Sequence, residues 1–160
     1  MGSGKHRYCA FMLAALGLCC GTLAQAQGQA QVQDYVQAGI VKVVSGSVQV
    51  LRRDQPSAAR VGDRVFSGDR VITAEGAAVG ITLRDDTLLS LGPKSNFLLE
   101  QYSFDASSGE GNVAVRVVKG TLRYVTGLIG KHAPERQQVL TPTATIGIRG
   151  TDFIVDVADE

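Results

Sequence analysis

The 160-residue chain has no tryptophan, four prolines, and only three cysteines and two methionines. Cys9, Cys19, Cys20 and both methionines lie in the first 20 residues. A chain trimmed of that segment has no thiol and no disulfide, and it keeps a single histidine, His132. Most thiol, transition-metal and histidine-based catalytic schemes are thereby excluded. Charge of one sign is also missing, with 16 Lys+Arg against 15 Asp+Glu. Phosphate-backbone affinity depends on a clustered basic excess, so no nucleic-acid partner is expected. Nor is there a long hydrophobic run. The uncharged stretch from Tyr8 to Cys20 is 13 residues, well short of the ~20 that a membrane-spanning helix needs.

What is present at the N-terminus has the layout of an export signal. Lys5, His6 and Arg7 form a basic start, the Tyr8–Cys20 stretch an apolar centre, and Ala24-Gln25-Ala26 a small-x-small cleavage site. Cleavage is expected before Gln27, making residues 1–26 a removable signal peptide. An uncleaved anchor is disfavoured by length. Lipid attachment at Cys19 or Cys20 is disfavoured because Leu18 is large where a small residue is required, and Gly17 stands where leucine is expected. The mature chain is then periplasmic or secreted, with no transmembrane segment. Residues 27–38 read as a flexible, polar leader and residues 39–160 as one domain.

From Val36 onward the hydrophobic pattern has period two, the signature of strands. Val48 and Val50, then Val79, Ile81 and Leu83, point one way; so do Val113, Val115 and Val117, Leu122 and Tyr124, and Phe153, Val155 and Val157. Turn residues separate these runs, at Ser45-Gly46, Gly62-Asp63, Gly68-Asp69, Glu75-Gly76, Asp85-Asp86, Gly92-Pro93 and Ser107-Ser108-Gly109. The fold class is all-β, with short twisted strands in a β-solenoid-like or sandwich arrangement. Two internal echoes refine this. Val61-Gly-Asp-Arg-Val65 recurs as Gly68-Asp-Arg-Val71, which predicts two strands starting from equivalent turns. Val43-Val-Ser-Gly-Ser-Val48 resembles Val117-Val-Lys-Gly-Thr-Leu122; in each, a glycine interrupting a valine-rich strand predicts a bulge or a close backbone approach.

Candidate chemistry is sparse. Asp63 and Asp69 lie beside glycines, but the alternating acids of a calcium loop are missing, so bonds to their own turn backbones are favoured. His132 sits in a loop sequence with no hydroxyl or metal ligand beside it. Asp85 and Asp86 would converge as a carboxylate pair only in a tight turn, since neighbours in a strand face opposite ways. In Thr145-Ile-Gly-Ile-Arg-Gly-Thr151, the glycines Gly147 and Gly150 and the flanking Thr145 and Thr151 could shape an anion-binding nest, with Arg149 as its charge. A strand turning a corner at Gly147 or Gly150 is favoured instead, with Ile146 and Ile148 in the core and Arg149 bonded to backbone carbonyls or an acid. In Thr126-Gly-Leu-Ile-Gly-Lys131, Leu128 and Ile129 read equally as a core plug or as an apolar partner contact on a loop.

Several of these segments carry a family resemblance. Val61-Gly-Asp with Gly68-Asp-Arg-Val-Ile-Thr73, Ile81-Thr-Leu-Arg-Asp-Asp-Thr-Leu-Leu-Ser-Leu91, Arg123-Tyr-Val-Thr-Gly-Leu-Ile-Gly-Lys131 and Thr141-Pro-Thr-Ala-Thr-Ile-Gly-Ile-Arg-Gly-Thr-Asp-Phe153 resemble the FecR domain family. The resemblance runs from about Gly39 to Val157, and its last stretch is the most specific part. It implies a periplasmic all-β module. In the best-known members that module belongs to a membrane-spanning regulator carrying a signal from an outer-membrane siderophore transporter to a cytoplasmic sigma factor. Here the hydrophobic stretch reads as cleavable, so complete transmembrane signalling by this chain alone is not expected.

The resulting expectation is an exported, non-enzymatic module without a cofactor, working by protein–protein recognition or signal sensing with a periplasmic or envelope protein. Its candidate interaction residues are Leu128, Ile129, Arg149, Gly150 and Thr151. The alternative is a small-molecule or glycan-binding β domain, which the lack of tryptophan disfavours.

Overall fold

A computed structural model describes residues 36–149 and 152–158. The expected signal peptide, most of the leader, and Gly150 and Thr151 lie outside the described residues. Twelve strands run in chain order: β1 (Gln37–Ser45), β2 (Val48–Arg52), β3 (Gln55–Ala58), β4 (Arg64–Phe66), β5 (Arg70–Thr73), β6 (Ala78–Leu83), β7 (Leu88–Leu91), β8 (Asn96–Phe104), β9 (Gly111–Val125), β10 (Gln137–Leu140), β11 (Thr145–Gly147) and β12 (Asp152–Val157). Between β9 and β10 lie a short helix α1 (Leu128–His132) and a 3-10 turn (Pro134–Arg136). The chain is all-β, as its period-two pattern indicates. Strand β1 takes in Gln37 and Ala38, two residues expected in the leader, because Ala38 is fully buried and its carbonyl accepts the N–H of Arg84.

The strands form one curled sheet in the order β3-β2-β5-β8-β9-β7-β6-β1-β4, with β10 and β12 also pairing β9 and β11 pairing β10. All neighbours are antiparallel except β9 and β10. The long strand β9 belongs to both leaves of the sheet. Its first part pairs β8 and β10, and its last part pairs β7 and β12. Buried residues of both leaves, among them Val41, Val71, Ile81, Phe97, Val115, Leu122 and Tyr124, form a single core cluster. This is a folded-over antiparallel sheet rather than a stack of parallel coils, and each period-two run named above turns its predicted side inward.

The chain crosses from one leaf to the other along one line, and the glycine echo marks it. Gly46 and Gly120 both have positive φ, +71° and +84°. A Cβ on Gly46 would lie 2.9 Å from Ala77 Cβ, and one on Gly120 would lie 2.3 Å from Ser95 Oγ. Both glycines therefore permit a close approach that no other residue allows at that backbone angle. Side-chain hydroxyls hold the bend. Thr73 Oγ1 donates to the carbonyl of Gly92 (2.6 Å) and accepts the N–H of Ser95 (2.8 Å), while Ser95 Oγ accepts the N–H of Thr121 (3.0 Å). Backbone polar groups freed where the strands break are satisfied there by buried hydroxyls.

The second echo is a pair of equivalent turns. Asp63 Oδ2 accepts the N–H of Arg60 and Asp69 Oδ2 that of Phe66, each three residues back. Asp69 is fully buried, and both its oxygens also accept from Arg52 (2.9 and 2.8 Å).

Candidate functional site

Three segments far apart in sequence meet at the end of β9. The β6–β7 turn supplies Asp85, fully buried, and Thr87. Thr87 Oγ1 donates to Asp85 Oδ2 (2.6 Å) and accepts the N–H of Gly127 (3.1 Å), while the N–H of Leu128 donates to the carbonyl of Asp85 (2.7 Å). Tyr102 closes the cluster, its hydroxyl donating to Asp85 Oδ1 and accepting the N–H of Asp85. Burial, reinforced by the Asp85 carboxylate, pushes the Tyr102 phenol well above the usual tyrosine range. Asp85 therefore holds the start of α1 in place. Asp86 is exposed in the left-handed region (φ 64°), so the two carboxylates do not form a pair.

The glycines of Thr126-Gly-Leu-Ile-Gly-Lys131 have the same logic. A Cβ on Gly127 would sit 2.2 Å from the Asp85 carbonyl oxygen, and one on Gly130 would sit 2.1 Å from Gln137 Oε1. Gln137 is buried; it accepts the Tyr124 hydroxyl (3.3 Å) and donates from Nε2 to the carbonyl of Ile148 (3.4 Å). One amide thus ties β9, α1 and the segment after β11 together. Phe153 on β12 stacks on Tyr124 from another side, with ring centroids 5.1 Å apart. Burial raises the Tyr124 phenol as well.

Above this packed base lies an open cleft of about 700 Å³, lined by Thr126, Gly130, Lys131, Pro134, Glu135, Gly147, Ile148 and Arg149. The two most distinctive sequence motifs therefore share one site. Ile129 is 1% exposed and Ile148 3%, so both are core residues, and Leu128 is half-buried. Of the two readings of the 126–131 segment, Ile129 takes the core plug. Strand β11 ends at Gly147, and of the two isoleucines expected in the core Ile148 is buried while Ile146 is only half-buried. Arg149 does not bond a carbonyl or an acid among the described residues; it is exposed at the cleft rim, as is Lys131. Sequence reasoning missed Gln137 and Thr87. A lone glutamine and a turn threonine carry no motif, and only their burial reveals their role.

His132 is exposed, and its ring lies beside Gly109 in a small cleft with Glu110, Glu135 and Arg136. Among the described residues, no group of three or more His, Cys, Asp or Glu side chains is placed to hold a metal ion. Nor is any described helix long and apolar enough to cross a membrane.

The family model described as FecR protein matches residues 69–160, more than half of the chain. The match takes in β5 to β12 and all of the cleft beside α1. No curated protein and no solved structure matches the chain.

Proposed function

This chain belongs to the FecR family, a family of envelope signalling, and from that membership we propose that it is an exported, non-enzymatic module that recognises a protein partner. The observation that carries the reading is the convergence of the 126–131 and 145–149 motifs on one open cleft. Buried Thr126, Gly130 and Ile148 line its floor, while Lys131, Glu135 and Arg149 present charges at the rim. A packed floor with exposed charges at its rim suits recognition of a partner surface, because a preorganised floor needs little ordering on binding. A non-enzymatic role is supported by how the titratable groups are used. Asp85 is engaged by two hydroxyls and its own turn, and no described hydroxyl is bonded to His132.

Pull-down from a periplasmic extract tests this. The wild-type chain is expected to retain a discrete envelope protein, and the double variant Lys131→Glu, Arg149→Glu is expected to lose it while keeping its circular dichroism. Charge reversal at a rim acts chiefly through association rate and salt dependence. Recovery of no partner under several growth conditions would overturn the proposal.

A further inference from the structure

The main strand order of the sheet ends at β3 and β4, which follow one another in the chain yet do not pair. The cleft between them measures about 690 Å³ and is lined by Val50, Arg52, Ser57, Ala58, Arg60, Gly62, Asp63, Arg64 and Phe66. All of these precede residue 69, so the family match does not reach this cleft.

Both edges are closed to an added peptide strand. Strand β3 carries Pro56, which has no N–H to offer. On β4 the N–H of Phe66 already donates to Asp69 Oδ2 (2.9 Å), and the carbonyl of Arg64 accepts from Arg52 Nη2 (3.1 Å). A ligand here is recognised by side chains, and the side chains are guanidiniums. Arg52 lies over the Phe66 ring, 4.2 Å from its centroid, and is locked by Asp69 through Nε and Nη2. Its Nη1 makes no bond to those partners. Arg60 and Arg64 are exposed, and their guanidiniums form no ion pair with any described residue. Asp69 offsets Arg52 and Asp63 offsets one of the others, which leaves one excess positive charge and unused donors from three arginines around one concavity. Arginine forks match the oxygens of phosphate, and a concave wall concentrates the field of a fixed charge.

We propose that the β3–β4 cleft binds a multivalent phosphate group, with Arg60 and Arg64 as its principal ligands and Arg52 as a pre-oriented third. Phosphate of this kind occurs free in solution or as a monoester lipid headgroup, and two probes separate these sources. Mature protein is titrated calorimetrically with inorganic pyrophosphate, and sedimented with phosphatidylcholine vesicles containing or lacking phosphatidic acid. Saturable binding to pyrophosphate assigns the free ligand. Binding only to vesicles with phosphatidic acid assigns the headgroup. In either case Arg60→Gln and Arg64→Gln should each weaken binding about tenfold, the equivalent of about 1.4 kcal/mol. Asp63→Asn, which keeps an oxygen to accept the Arg60 N–H but removes the facing charge, should tighten it. All three positions are exposed, so an unchanged urea midpoint confirms that the variants fold. Binding to neither probe, or binding that the two arginine substitutions leave unchanged, overturns the proposal. The pull-down partner is read out separately, so failure of one reading does not touch the other.

Discussion

At the scale of single residues, the fold depends on where a side chain would not fit. Gly120 combines φ +84° with Ser95 Oγ 2.3 Å from a would-be Cβ, and Gly130 faces Gln137 at 2.1 Å. Gly62 has φ +94° but nothing within 4 Å. Alanine at Gly62 is expected to cost only the backbone term, about 1–2 kcal/mol. At Gly120 the clash adds to it, for a total of about 3–5 kcal/mol. At Gly130 displacement of the buried Gln137 amide costs about 1–3 kcal/mol. Urea unfolding with a constant slope checks this order; a Gly62 variant as damaged as Gly120 would contradict it. The glycines were legible in the sequence, but their partners Ser95 and Gln137 were not, because close approach joins residues with no pattern linking them.

At the scale of elements, β12 is an edge strand with an exposed attachment. Among the described strands it pairs only with β9, and it carries Ile154 at 65% exposure. Arg123 on β9 reaches Asp152 through Nε and Nη2 (3.0 and 2.6 Å), and Thr121 Oγ1 donates to Asp156. The Arg123 guanidinium holds the Asp152 carboxyl below the usual carboxylate range. A depressed carboxylate stabilises the fold above its unfolded pKa, and this contribution is lost as pH falls through the folded value. Hydrogen-exchange protection across β12, normalised to the intrinsic rate at each pH, should therefore fall below pH ~4 before that of the Phe97 and Val115 region. Asp152→Asn should remove that difference in acid response. Period two placed β12 correctly, with Val155 inward. By contrast the sequence of α1 reads as loop, since its five residues are too few for a helical stripe. The turn at Arg53 and Asp54, with φ 51° and 60°, was also missed. It uses a two-residue hairpin geometry that usually announces itself with Asn-Gly.

At the scale of the whole molecule, one bent sheet carries two clefts, one between the strands that end its main order and one beside α1. The cleft beside α1 lies inside the family match, and the β3–β4 cleft lies before it. Exposing either to an envelope partner requires export, and the N-terminal reading makes that testable. Intact-mass measurement of protein from the periplasmic fraction should give a chain starting at Gln27, and a lipid adduct on Cys19 or Cys20 would refute it. The sequence alone determined the all-β class, the inward side of most long strands, the equivalent Gly-Asp turns and the family, because period, turn chemistry and motif are local. Only the tertiary structure decided that the glycine echo is a shared bend, that Ile129 is core while Arg149 is exposed at a rim, and that three arginines ring one cleft. Those facts depend on which strands become neighbours, and pairing across tens of residues follows from burial of both leaves in one core rather than from any local pattern.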